Sequence, residues 1–406
     1  MNAPLGPLQR TRIRSLLQAA HDAASEYTEF YRGGRQLTMA APRIIGPGHC
    51  DEVTGTGRTV FLASFEDARV QAASSAFELR GELLFDYQGH EIDRIAVESH
   101  ADEFVSDAGH VFALRPERNV PTLEIPEALS LVGSTARRFG HWIIEYLLRW
   151  ATAGERSELK NVPVLIDERL PPSHRQALEY FSEGRAQIVV VPAEVTVQVG
   201  KLWTVANWIY VPIYWKNEQA IDVRFLVWPT IEVAERYRRL ARRIDRELDE
   251  AAGPKRIFLA RRETLHRKLM NIDSIQDIAR AYGFQVCYPE DLDFREQVQL
   301  VRRSTHIMAP EGSALFLAVF ARPGTRVCGF DHPFVEKAGF MATLFKELGI
   351  DAVLVTGECV RKDELFSRFS DYVIDEANLQ IVLDDWKLAP SAKPIDRAPS
   401  LELGGL

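Results

Sequence analysis

A chain of 406 residues is too long for one ordinary hydrophobic core, so two domains are expected. Apolar content of 46% beside 26% charged residues excludes a disordered or fibrous chain. A net charge of −8 argues against general nucleic-acid binding, although a local basic patch can still hold a phosphate.

In chain order, Ile13 to Tyr31 places Leu16, Leu17, Ala20 and Ala24 on one side of an amphipathic helix. Such a helix packs on its own protein or pairs with a second copy. From Pro42 to about Leu114 the pattern turns to short alternating runs at Thr59–Leu62, Ala76–Arg80, Glu82–Tyr87 and Val111–Leu114. Gly46-Pro47-Gly48, Gly55-Thr56-Gly57 and Gly89 separate them, which predicts a β-rich segment. Gly55-x-Gly57 is too short and wrongly flanked for a dinucleotide loop.

After Pro126 the period lengthens: helix Phe139–Trp150, strand Val162–Ile166, helix Ser173–Phe181, strand Gln187–Val191. The aromatic, β-prone run Trp203–Tyr214 closes this first α/β domain. Glu232–Ala251 predicts a long charged helix connecting the domains, with Val233, Tyr237, Leu240, Ile244 and Leu248 at helical spacing. Its arginines (Arg236, Arg238, Arg239, Arg242, Arg243, Arg246) either face solvent among interleaved acids or touch an anionic membrane.

A second α/β domain follows: strand Arg256–Ala260, helix Ser274–Tyr282 ended by Gly283, strand Phe284–Tyr288 and helix Phe294–Arg303. Strand His306–Ala309, a turn at Pro310-Glu311-Gly312, helix Ser313–Ala321, a Pro323-Gly324 break and another strand complete a doubly wound sheet. The expected fold is therefore α/β, with two Rossmann-like domains behind a β-rich N-terminal segment. The boundaries fall at residues 1–115, 116–230 and 231–388, with a disordered tail rich in Pro and Ser at 389–406.

Ligands of such sheets sit beyond the carboxyl ends of the strands. Those ends are Arg261-Arg262, Pro289-Glu290 and Pro310-Glu311-Gly312-Ser313. A helix entered through Gly312-Ser313 presents free N–H groups and the positive end of its dipole, which suits a phosphate; an ordinary βαβ corner looks the same. Arg261 and Arg262, with Arg267, Lys268 and Asn271 a few residues on, form either a diphosphate clamp or a solvated basic loop.

His141 and Glu145 stand four apart on one helix face. They work as acid and base, bind a substrate hydroxyl, or form a structural pair; as metal ligands they lack a third partner. Asp291-Leu292-Asp293 resembles a D-x-D metal motif, but Asp293 stands three before Glu296 at a helix start and makes a capping box. No P-loop, dinucleotide fingerprint, G-x-S-x-G or H-E-x-x-H occurs. The scattered cysteines (Cys50, Cys287, Cys328, Cys359) point to a reducing compartment and to neither zinc nor disulfides. No apolar run reaches bilayer-spanning length, and Met1–Gln9 lacks a signal-peptide core.

Taken in order, Gly140-His-Trp-Ile-Ile-Glu145, Ile257-Phe-Leu-Ala-Arg-Arg262, Glu296-Gln-Val298, Ile307-Met-Ala-Pro-Glu-Gly-Ser-Ala-Leu315 with Phe320, and Asp371-Tyr-Val-Ile-Asp375 resemble the family-61 glycosyltransferases. That group has many bacterial capsule and surface-polysaccharide members, and the resemblance covers roughly residues 110 to 385. It departs at Glu311-Gly312-Ser313, where members often carry His-Gly-Ala, and at Asn271-Ile272, where they often carry Asn-Glu.

The resemblance implies a GT-B-type transferase, inverting and without a D-x-D metal, whose C-terminal domain holds a nucleotide-sugar donor. Arg261, Arg262, Arg267, Asn271, Gly312 and Ser313 are then the donor-binding candidates, with Glu311 on a ribose or sugar hydroxyl. His141 and Glu145 line the acceptor side, with Glu145 slightly preferred as the base. No cofactor or metal is expected, a UDP-sugar is the expected donor, and a glycan or glycolipid is the acceptor. The expected location is cytoplasmic and peripheral to the inner membrane, with a homodimer contact through the N-terminal segment. The competing expectation is a catalytically inactive scaffold that binds glycan or nucleotide.

Overall fold

A computed structural model describes residues 8–89, 91, 103–107, 110–116, 122–212, 223–249, 253–262, 266–335, 337–361 and 370–391. The tail beyond residue 391 and Tyr214 lie outside them. The chain forms two compact units, residues 1–40 with 52–243 and residues 41–51 with 244–406. Both are mixed α/β.

The chain opens with β1 (Leu8–Ser15), α1 (Leu16–Ala23), β2 (Glu26–Tyr31), β3 (Gln36–Met39) and β4 (Arg43–Ile45). The single helix expected over Ile13–Tyr31 is thus corrected to one short helix between two strands. The Ser15 side chain caps α1 by accepting from the Gln18 N–H. The run Glu26-Tyr-Thr-Glu-Phe-Tyr31 is aromatic and β-prone, and pairing with a long neighbouring strand overrides its weak helical period.

Next come β5 (Val53–Thr56), β6 (Val60–Gln71), β7 (Phe77–Leu79), β8 (Glu82–Phe85), β9 (Glu103–Asp107), β10 (His110–Pro116) and β11 (Thr122–Ser130). The chain then becomes α2 (Phe139–His141), a π-helical turn over Trp142–Tyr146, and α3 (Leu147–Ala153). After it come β12 (Val164–Asp167), α4 (Pro172–Ser182), β13 (Ile188–Val191), β14 (Thr196–Val205) and α5 (Thr230–Asp245).

Strands β13-β12-β11-β14 are mutually parallel, and β14 pairs antiparallel with β6, which leads into a mixed remainder (β1 and β8 are parallel) in one eleven-stranded sheet. From β11 the chain winds outward through β12 and β13, then returns as β14 on the other side of β11. The winding direction therefore reverses between β11 and β14. The basic stripe of α5 is not wholly solvated. Arg236 is buried, with its guanidinium 3.8 Å over the Trp208 ring and its Nε donating to Thr152 Oγ1 at 2.9 Å.

The second unit is built from β15 (Arg256–Leu259), α6 (Ile272–Ala281), β16 (Gln285–Cys287), α7 (Phe294–Arg303), β17 (His306–Pro310) and β18 (Arg326–Asp331). It continues with α8 (Ala338–Glu347), β19 (Asp351–Thr356), β20 (Glu358–Arg361), β21 (Asp371–Val373) and α9 (Glu376–Asp385). Its six-stranded sheet runs β16-β15-β17-β18-β19-β4, all parallel. Continuous apolar runs such as Ile257-Phe-Leu-Ala260 and Ile307-Met-Ala309 are buried to the last residue, as helices on both faces of a parallel sheet require. The chain winds from β15 to β16 on one side and then to β17, β18 and β19 on the other, so here the reversal falls between β15 and β17. Helix α7 starts where the sequence places it. Asp293 Oδ1 accepts from the Glu296 N–H, and Glu296 Oε2 accepts from the Asp293 N–H, both at 2.8 Å.

His174 on α4 sits buried against the rings of Phe139 and Trp142, with centroids 5.7 and 5.1 Å away. Burial lowers its pKa from 6.5 to about 4. The folded state therefore refuses a proton that the unfolded chain accepts, and stability falls as pH drops from 6.5 toward 4. Urea unfolding at pH 7 and pH 4.5 should show His174→Leu losing less stability than wild type across that interval. The difference should be on the order of 2 kcal/mol, and equal losses would exclude this residue as the cause.

Candidate functional site

Around the reversal between β15 and β17, the residues after each strand meet at the carboxyl end of the sheet. Arg261 follows β15; Glu311 and Gly312 follow β17. Arg261 makes no hydrogen bond or ion pair among the described residues, and burial pulls its pKa below the ordinary guanidinium value. Its Nη1 stands 2.5 Å from where a Cβ on Gly312 would be. Gly312 has φ +143°, outside the region open to residues with side chains. Only glycine leaves the guanidinium that room.

Beyond Gly312 the expected α-helix is a 3₁₀-helix, Ser313–Phe320. All of its residues but Ser313 and Phe316 are buried, so packing on nearly every side sets the tighter winding. Leu315 N–H bonds back to the Gly312 carbonyl at 3.0 Å. The N–H groups of Gly312, Ser313 and Ala314 have no acceptor among the described residues. A free guanidinium and free amides thus share one corner.

Arg267, at φ +56°, bonds Glu311 Oε2 at 2.5 Å. Asp331, at the end of β18, is buried and accepts from the His332 N–H at 2.8 Å. Burial, and next to it the charge of Glu311, raise its pKa well above the carboxylate range, which favours the neutral form. With Asp331 neutral, two guanidiniums face one carboxylate and the corner is cationic. Tyr372 closes the floor, its hydroxyl donating to the Phe330 carbonyl at 2.8 Å. The segment around it holds the Arg267 loop: Asp371 accepts from the Lys268 N–H at 2.9 Å, and Tyr372 N–H donates to the Lys268 carbonyl at 3.0 Å.

Two other donor-site candidates are engaged elsewhere. Arg262 turns to Asp291, 2.6 Å from both carboxylate oxygens, and lies 4.8 Å over the Tyr288 ring. The Asn271 amide bridges the backbone of Ile374, giving to its carbonyl at 2.8 Å and taking from its N–H at 3.1 Å. Asp293 caps α7. Among the described residues no three His, Cys, Asp or Glu side chains group as metal ligands.

In the first unit, the π-helical turn carries Glu145 and begins just after His141. His141 Nδ1 lies 3.1 Å from Glu145 Oε1, with the His side chain 16% exposed and the Glu 4%. Glu145 also accepts from the Val211 N–H at 2.9 Å and from Thr135 Oγ1 at 3.4 Å. A carboxylate only accepts, so Nδ1 carries the proton, and in the neutral ring Nε2 then keeps a lone pair. Gly133 makes room: a Cβ there would meet the Tyr146 hydroxyl, which bonds Thr135 Oγ1 at 2.9 Å. π turns recur at functional sites.

With this geometry in hand, comparison with known families adds a class. Residues 139–328 match the family model Glycosyltransferase 61, from the helix of His141 and Glu145 through β18. The match supports a glycosyltransferase, and such an enzyme uses a nucleotide-sugar donor and a glycan acceptor. No curated protein matches the chain. No described helix is long and apolar enough to cross a membrane.

The sequence assigns no role to Asp331, and it places Tyr372 only within the Asp371–Asp375 motif. Asp331 had a readable signal, since it ends the apolar strand Val327-Cys-Gly-Phe330 in the same row as Arg261 and Glu311. Tyr372 had the motif but no sign of its contacts, because these lie far away in sequence. If Gly312 serves Arg261, Gly312→Ala should lower stability by about 1–3 kcal/mol through backbone strain. Adding Arg261→Ala should recover only the steric part, as read from urea midpoints. No loss in the single variant would contradict the geometry.

Proposed function

We propose that the protein transfers a sugar from a nucleotide sugar to a surface or capsular glycan in a GT-B-type organisation, with inversion at the anomeric carbon. The observation that carries this reading is the free Arg261 guanidinium held over Gly312 beside unbonded amides, a cationic corner shaped for a diphosphate. Arg261 and the N–H groups of Gly312 and Ser313 hold the diphosphate. Arg267 acts through Glu311, which takes a ribose or sugar hydroxyl.

His141 is the base in this reading, because its Nε2 has the lone pair and Glu145 fixes the ring through Nδ1. The acceptor hydroxyl gives its proton to Nε2, its oxygen bonds the anomeric carbon, and the bond to the diphosphate breaks. The leaving charge falls on Arg261 and the free amides. The step runs without a metal at Asp291 and Asp293, since one is paired with Arg262 and the other caps a helix. A UDP-sugar is the donor we favour, and the cytoplasmic face of the inner membrane, with a homodimer, the setting.

A thermal-shift screen against UDP-, GDP-, CMP- and dTDP-sugars should stabilise the protein with one nucleotide class, and Arg261→Ala should abolish the shift. His141→Ala should keep that shift and lose at least about a hundredfold in turnover. No shift with any donor would overturn the donor site and favour a scaffold.

A further inference from the structure

The carboxyl end of the first unit's parallel strands carries a group of arginines that none of the roles above uses. Arg137 and Arg138 follow β11 on the way into α2, Arg169 follows β12, and Arg175 lies in the first turn of α4. Arg137, Arg138 and Arg169 are exposed and Arg175 is half-buried. Two contacts draw these segments together. Asp167 Oδ2, at the end of β12, accepts from the Gly133 N–H in the loop after β11 at 3.0 Å. The His174 ring lies 5.7 Å from the Phe139 ring, so Arg175 and Arg138 each stand one residue from that contact. His141 follows Arg138 by about one helical turn.

The fold gives these arginines nothing to bind. None of the four side chains makes a hydrogen bond, ion pair or ring contact among the described residues. At the far ends of the two helices that start here, arginines are paired: Arg156 with Glu158 after α3, and Arg185 with Glu183 after α4. Arg175 also has its Nε enclosed without an acceptor, which is costly unless another group supplies one. Against the four guanidiniums stand buried Asp167, committed to the Gly133 N–H, and exposed Glu168 and Glu194. Glu168 Oε2 in turn accepts from the Ala193 N–H at 3.2 Å. Positive charge is in excess at this end.

We propose that these arginines form a subsite for a phosphate group carried by the acceptor, beside His141. Calling the ligand an acceptor rests on the transferase reading; the anion subsite itself does not. Guanidiniums on separate segments approach from different directions, and a tetrahedral phosphate offers oxygens to each of them. A carboxylate presents two oxygens in one plane and occupies a single fork. The second charge that a phosphate gains near neutral pH also suits an excess of cations. A sugar phosphate and a phosphate-bearing lipid share this chemistry.

The test titrates the full chain calorimetrically with D-glucose 1-phosphate, D-glucuronate and D-glucose. A second arm sediments it with phosphatidylcholine vesicles, with and without phosphatidic acid. Glucose 1-phosphate should bind at least about tenfold tighter than glucuronate or glucose. The double variant Arg137→Gln, Arg138→Gln alters only exposed side chains; it should erase that preference and leave UDP binding intact. Arg261→Ala should do the opposite, which separates this subsite from the donor corner. Co-sedimentation only with phosphatidic acid, lost in the double variant, would support the subsite and place the phosphate on a lipid. Selection of phosphate in neither arm, or selection untouched by the double variant, would overturn the subsite. Binding of UDP without selection of phosphate would remove the subsite and keep the transferase reading. Selection of phosphate without any nucleotide binding would keep the subsite and remove that reading.

Discussion

A guanidinium that is half enclosed, charged and without a partner among the described residues is the constraint around which the second unit is arranged. Arg261 reaches the sheet edge because β15 is buried to its last residue and ends there. It stays free because Gly312 has no side chain to displace it, and because Glu311 is taken by Arg267. The apolar packing of β15, β17 and β18 fixes these strand ends in register, so the corner inherits its geometry from the core. Burial raises the Asp331 pKa and so favours its neutral form, which adds to the positive character of the corner.

The first unit solves a different problem with a similar sheet. There the reversal between β11 and β14 is covered by a helix with a π-helical turn, which carries Glu145 inward and leaves His141 partly open. Glu145 is so fully committed to donors that it serves better to hold the imidazole than to take a proton. Each unit thus presents arginine without a partner among the described residues at the carboxyl ends of its parallel strands.

Much of this was readable from the chain. The Asp293/Glu296 box fixed the start of α7 because a cap is a local interaction. The row of strand ends was readable because apolar runs stop abruptly at Arg261 and Glu311. What escaped depends on distant partners. Arg262 is drawn to Asp291, 29 residues on, and Asn271 to Ile374, 103 residues on. The run Glu26–Tyr31 became a strand only because β6 offers it an edge. The π turn escapes a period count because it spans only the five residues Trp142–Tyr146.

The most direct measurement is calorimetric titration of the protein with uridine, UMP and UDP at one fixed ionic strength. The account predicts a clear gain in affinity with each phosphate, and loss of the UDP increment in Gly312→Ala, where the guanidinium is pushed aside. Equal affinities across the three ligands, or a UDP increment untouched by that substitution, would contradict a diphosphate site at Arg261.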